Sequence, residues 1–159
     1  MNSDELLDGF EAAWSSGDPN AFATVCAPDV HYEDPVAREP LDGPAALGAH
    51  AQRLWMGFPD IRLEQTSDRL TDGRFVAAPV KALGTHRNDL ENIPKTGKFI
   101  VVHVLFYAEL DPARERLWRI RAFFDLYEAA QQLGVLPRHG TVSERAMLML
   151  RGFGLNRSR

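Results

Sequence analysis

One acidic side chain has a setting that suits it to chemistry. In Asp29-Val30-His31-Tyr32-Glu33-Asp34-Pro35, the residues Val30, Tyr32 and Asp34 recur at period two. An extended backbone therefore puts them on one face and His31 and Glu33 on the other. Pro35 holds Asp34 extended and cannot continue a sheet ladder, so the carboxylate stands where the strand ends. A carboxylate beside apolar neighbours is poorly solvated, which raises its basicity and suits it to take a proton from carbon. The competing reading is an aspartate that caps a turn before proline.

A second candidate comes from a long hairpin, residues 98 to 110 and 116 to 125, joined at Asp111-Pro112-Ala113-Arg114. Ile100, Val102, Val104, Phe106 and Ala108 alternate with Val101, His103, Leu105, Tyr107 and Glu109. In the return strand Trp118, Ile120, Ala122 and Phe124 alternate with Arg119, Arg121, Phe123 and Asp125. Pairing Glu109 with Arg119 gives a favourable cross-strand charge pair and sets His103 opposite Asp125 on the mixed face. The apolar row must then face the helices. Asp125 has a rival role as the cap of a helix that begins Asp125-Leu126-Tyr127-Glu128 and stops at Gly134.

Other chemistries find no support. The histidines and acids show no compact ligand spacing, so no metal is expected. Cys26 lies in an apolar context without a local base, and no Gly-x-Ser-x-Gly elbow exists. His31 should face away from the pocket, His50 lies on a helix, His139 is in the tail, and His86 is expected to anchor a loop or rim.

The positioning elements follow from hydrophobic spacing. Ser3 can cap a helix through Leu6, Leu7, Phe10, Ala13 and Trp14 that Gly17 ends. Pro19 can open a short second helix that Pro28 closes. A short strand at 30 to 34 and another at 38 to 41 precede a third helix, from Gly43-Pro44 through Leu47, Ala51, Leu54, Trp55 and Phe58. Strands follow from Ile61, with a turn at Thr71-Asp72-Gly73 and a run from Phe75 to Thr85, where Pro79 suggests an edge or a bulge. Thr141-Val142-Ser143-Glu144 starts a last helix bearing Val142, Ala146, Met149, Leu150 and Phe153, expected to dock on protein rather than on a membrane. Helices first and a curled antiparallel sheet after them read as an α+β fold.

The chain of 159 residues, 45% hydrophobic, is long enough for one core that buries roughly 70% of its unfolded surface. A net charge of -4 without a basic cluster in the body argues against nucleic acid. The residues from 138 onward hold five arginines against one acid, Glu144. One cysteine excludes an internal disulfide. No leader pattern and no apolar run approaching ~18 residues are visible, so the expectation is a soluble, cytoplasmic protein without stable membrane insertion.

The run Glu33-Asp34-Pro35-Val36-Ala37-Arg38-Glu39-Pro40-Leu41-Asp42-Gly43, with Phe10 to Asp18 before it, resembles bacterial ketosteroid isomerases. Phe58-Pro59-Asp60, Gly84-Thr85-His86, Ile93-Pro94-Lys95-Thr96-Gly97 and Phe124-Asp125 with Gln132-Leu133-Gly134-Val135 resemble the SnoaL-like polyketide cyclases. Both belong to the nuclear-transport-factor-2-like superfamily. The resemblance implies a cone-shaped sheet wrapped around the N-terminal helices over residues 1–137; the helical tail at 138–159 matches neither family. The resemblance also implies a homodimer through the outer sheet face, and no cofactor.

The isomerase resemblance makes Asp34 the proton-shuttling base. Such enzymes work with a tyrosine and a protonated aspartic acid that donate to the oxyanion. The matching positions here are Phe10 and Val102, which cannot donate, and losing one such donor typically costs about 2.7 to 4 kcal/mol. Tyr32 is the nearest replacement. The cyclase resemblance instead makes Asp125 the acid/base, with His103 its partner. The expected activity is cofactor-free isomerisation or cyclisation of a hydrophobic, steroid- or polyketide-like carbonyl compound by proton abstraction beside the carbonyl. Phe10, Trp14, Trp55 and Phe58 from the helices are expected to line the pocket. Val102, Val104, Phe106, Ile120, Ala122 and Phe124 would line it from the strands. The rival is a non-catalytic binding or dimerisation domain of the same fold. A cavity of ~300 Å³ or more favours the enzyme, and backbone amides bonded to Asp34 favour the rival.

Overall fold

A computed structural model describes residues 1–138 and 140–150. Helix α1 (Ser3–Ser16) is capped one residue earlier than the spacing suggests. The Asn2 side chain accepts from the Glu5 amide while Glu5 reaches back to the Asn2 amide. Its apolar stripe, Leu6, Leu7, Phe10, Ala13 and Trp14, is buried, and Gly17 ends it in the left-handed conformation that glycine adopts without strain.

The expected second helix is a single 3-10 turn, Ala21–Thr24, and strand β1 (Cys26–Glu33) begins at once. Pro28 lies inside β1 and closes nothing. It is tolerated because the pairing of β1 with its neighbour is interrupted between Cys26 and His31, where no ladder donor is missed. Strand β2 (Leu41–Asp42) pairs back on Tyr32 and His31, and helix α2 runs Pro44–Gly57 with proline in its first turn.

Strands β3 (Arg62–Gln65), β4 (Leu70–Thr71), β5 (Phe75–Thr85), β6 (Phe99–Leu110) and β7 (Leu117–Phe123) complete one sheet. Its order is β2-β1-β7-β6-β5-β3, with β4 also on β5. The sheet is not wholly antiparallel as expected: β1 runs parallel to β7. β5 is central rather than an edge. Pro79 sits where the neighbour changes from β4 to β3, and its carbonyl takes the Thr66 amide there. The missing proline N–H thus falls in a gap between two partners.

The hairpin has the predicted register at Glu109 and Arg119, but one extra residue is inserted before Leu117 pairs with Leu110. That bulge turns the faces over. Leu117 is buried, whereas Trp118, expected in the apolar row, lies on the outer side and donates to Asp29 Oδ2 at 3.0 Å. Arg119 stacks on its ring.

Helix α3 (Leu126–Leu133) folds back onto β6 where β7 has ended. The Gln132 amide accepts from the Val101 N–H and donates to the Val101 carbonyl, both at 2.8 Å, so one side chain serves the strand as a neighbour would. Helix α4 (Val142–Leu150) is capped by Thr141, as its sequence signature indicates. Phe153 and His139 lie outside the described residues. No helix among the described residues is long and apolar enough to cross a membrane.

Candidate active site

β1 delivers the site. Tyr32 points into the core at 2% exposure, and Asp34 follows where Pro35 stops the strand. The turn after it folds the Val36 and Ala37 amides onto Asp34 Oδ1, each at 2.7 Å. Asp34 Oδ2 accepts from the Tyr32 hydroxyl at 3.0 Å and from His50 Nε2, on α2, at 2.7 Å. The His50 and Asp34 side chains are 2% and 3% exposed.

Burial pushes the Asp34 carboxyl up, but the contact with His50, the Ala37 amide and the Tyr32 hydroxyl outweigh it and leave it below its ordinary value. This corrects the expectation of a carboxylate made more basic by apolar neighbours: four donors stabilise its anion. Burial, and then the charge and hydrogen bond of Asp34, hold the Tyr32 phenol well above its usual range, so it stays protonated.

Asp34 and Tyr32 open on a cavity of about 230 Å³, smaller than the size set as favouring an enzyme. Trp14, Leu54 and Phe58 wall it from the helices, Val102, Val104, Phe106, Ala122 and Phe124 from the sheet side. Leu126, Ala129 and Leu133 of α3, with Leu90 and Ile93 from the loop after β5, close the remaining sides. Among the described residues, Asp34 is the only carboxylate in this wall and Tyr32 the only hydroxyl. The arrangement can accept a proton from, and present a hydroxyl to, a hydrophobic molecule held against it.

Residues 4–133 match the family profile of SnoaL-like polyketide cyclases. The chain belongs to that family. A proposed polyketide cyclase from Acidithiobacillus ferrooxidans is 27% identical to this SnoaL-like chain, with TM-score 0.69, over 82% of this chain and 93% of that one. IdmH, a proposed polyketide cyclase from Streptomyces antibioticus, is 24% identical with TM-score 0.70, over 82% and 97% of the two chains. A protein of ketosteroid isomerase-like fold from Catenulispora acidiphila, solved with trimethylamine, is 17% identical with TM-score 0.71, over 84% and 95%. The last two likenesses show the fold. No curated protein matches the sequence. Membership carries a polyketide-cyclase role at the level of the family, and the nuclear-transport-factor-2-like fold is the one observed.

Seven of the ten expected pocket residues line the SnoaL-like cavity: Trp14, Phe58, Val102, Val104, Phe106, Ala122 and Phe124. Of the other three, Phe10 and Ile120 are core and Trp55 is half-buried against it. Phe10 is fully buried in an aromatic cluster against Phe22 and Phe106, Trp55 donates its indole N–H to the Trp14 carbonyl at 2.8 Å, and Ile120 packs in the core opposite Ala108.

His103 and Asp125 do not meet. Their register is as expected, but the ladder ends at Leu105 and Phe123, two residues short, because Asp125 leaves the strand to cap α3. Its Oδ1 accepts the Glu128 amide at 3.0 Å. His103 lies exposed on the outer face opposite Lys81, and neither residue lines the cavity.

His86 is a loop anchor, as its position suggests. Its backbone exchanges bonds with Lys98 and Gly97, and its ring stacks on the cavity residue Phe58. The residue that sequence reasoning missed is His50. The signal was present: His50 falls three after Leu47 and four before Leu54, on the apolar side of α2. No group of three or more metal-ligating side chains occurs among the described residues.

Proposed function

We propose that this SnoaL-like protein isomerises or cyclises a hydrophobic carbonyl compound by proton abstraction at the carbon beside the carbonyl, with Asp34 as base and Tyr32 as donor. The observation that carries the reading is an ionised carboxylate, with a phenol bonded to it, in a cavity wall that is otherwise apolar among the described residues. The Tyr32 O–H is free to rotate. When it turns from Asp34 Oδ2 to the ligand's carbonyl oxygen, it frees a lone pair on Oδ2 and supplies a donor to that oxygen in the same movement. The carbon's proton passes to Oδ2, the electron pair it leaves becomes an enolate, and the Tyr32 hydrogen bond stabilises the charge. Return of the proton at another carbon isomerises the molecule; attack of the enolate carbon on a second carbonyl closes a ring, and the alkoxide so formed takes the proton back from Asp34 Oδ2.

A carboxylate held below its ordinary value is a weak base, so the carbon acid must be strong. A carbon between two carbonyls, as in a polyketide chain, meets that need better than one beside a single ketone. No cofactor enters this chemistry. The homodimer through the outer sheet face belongs to the same proposal, supported by exposed Phe99, Leu105, Tyr107 and Phe123 on that face.

A second reading, a binding domain without catalysis, is favoured by the two backbone amides on Asp34 Oδ1 and the smaller cavity. One experiment separates them. A hydrophobic bicyclic β-diketone in deuterated buffer should exchange its central proton under the protein's action, followed by NMR, and Asp34→Asn should slow this at least about a hundredfold. Protein-dependent exchange that Asp34→Asn leaves unchanged removes Asp34 as base. Ligand binding with no exchange above buffer establishes the second reading.

A further inference from the structure

We propose that His50 is the positioning residue of this site: from α2, its Nε2–H pins the Asp34 carboxylate in the cavity wall and keeps it in the proton-accepting form. The inference rests on the reading of Asp34 as base. Among the described residues, four groups bond that carboxylate, and they differ in what they can do during a reaction. The Val36 and Ala37 amides hold Oδ1 from the same turn, and Tyr32 holds Oδ2 from the same strand. His50 is the one partner supplied by another element. Once the Tyr32 hydroxyl has turned to the ligand, His50 alone still holds Oδ2, and it fixes the direction of the remaining lone pair.

The proton assignment follows from the acceptor. An ionised carboxylate has no hydrogen to give, so His50 Nε2 must carry the one between them. His50 Nδ1 is buried and has no hydrogen-bond partner among the described residues, so Nε2 and ring packing set the ring's orientation. The packing comes from Trp14, edge-on at 6.3 Å between centroids, and from Tyr32, tilted at 6.2 Å. Both partners of the His50–Asp34 bond are shielded from water, where a hydrogen bond to a charged group has its largest effect. Tyr32 from β1 and His50 from α2 are the titratable side chains that bond Asp34. No other charged side chain among the described residues contacts either atom of the His50–Asp34 bond.

Two variants of the full chain test this. His50→Gln keeps an N–H near the Nε2 position; His50→Leu removes it at similar bulk. In the leucine variant the acid limb of diketone exchange should move up by about one to two pH units, with the Asp34 carboxyl ¹³C titration moving by the same amount. The glutamine variant should restore most of that shift. A purely packing role would lower both variants' melting temperature and leave the two titrations in place, which overturns the proposal. In the wild type, long-range ¹⁵N correlation should show His50 protonated on Nε2; a neutral ring protonated on Nδ1 alone also overturns it. If Asp34→Asn leaves exchange unchanged while the carboxyl titration responds to His50 as stated, the base assignment fails and the His50 arrangement stands. If Asp34→Asn abolishes exchange and neither titration moves in the leucine variant, only the role of His50 fails.

Discussion

At the residue scale, the site turns on how many donors one carboxylate can hold and still work. Tyr32 is the donor that moves, so Tyr32→Phe should lower the turnover of diketone exchange about a hundredfold. It should cost roughly 1 kcal/mol of stability in a denaturant titration, because three other bonds to Asp34 remain. Asp34 also links pH to folding. Its carboxyl is held below the ordinary value when folded, so the stability it contributes is complete above the unfolded pKa of about 4 and is lost as pH falls through the lower folded value. Asp34→Asn should therefore flatten the acid side of a pH-dependent urea titration and leave its slope above about pH 6 unchanged. Much of this was legible: the period-two row and Pro35 located both Asp34 and Tyr32. The environment of Asp34 was not, because the donors on it come from a turn geometry and from a histidine sixteen positions away that spacing does not bring together.

At the element scale, α2 must approach the N-terminal turn closely enough for His50 to reach β1. Gly48 permits it: a Cβ there would overlap the Pro19 carbonyl, which is backbone and cannot swing aside. Gly48→Ala should cost about 1 to 3 kcal/mol and, by lifting α2, weaken the His50 contact, so the variant's acid limb should shift with its melting temperature. α1 is tied down by Arg69, whose side chain is 4% exposed and contacts Asp8 and Glu11 at 2.8 Å each. Arg69→Ala leaves Glu11 buried without its cation and should cost about 3 kcal/mol by chemical denaturation. The order and kind of these elements could be read from hydrophobic period and capping residues. Of the features set by pairing partners, the Glu109–Arg119 register could be read, while the parallel contact of β1 with β7, the tolerated prolines at 28 and 79, and the bulge that turns Trp118 outward escaped. A residue's face follows from its own strand only while the register is unbroken.

At the scale of the whole molecule, one side of the sheet encloses the cavity and the other carries aromatic and charged side chains. Phe75 stacks on Tyr107 at 5.8 Å, Arg121 lies near the Phe123 ring, and Glu33 accepts from Arg121. If two copies meet on this face, Tyr107→Glu with Phe123→Asp should halve the mass measured by sedimentation equilibrium, and diketone exchange per chain should persist because neither residue lines the cavity. An unchanged mass places the contact elsewhere. The division of the sheet into an enclosing and an outer face was legible in the alternation of the hairpin; which inward residues touch the hollow rather than packing beneath it was not, since Phe10, Trp55 and Ile120 carry the same apolar signature as those that do.

The Gln132 clamp on Val101 makes the far wall of the hollow depend on a neutral amide. Deamidation to glutamate would set an oxygen against the Val101 carbonyl in place of the N–H that bonds it now. The side chain would then hold the strand through one hydrogen bond instead of two, loosening α3 from the sheet with no change in any group that does chemistry. Gln132 therefore acts as a latch whose ageing would first be seen as faster deuterium uptake at the Val101 amide.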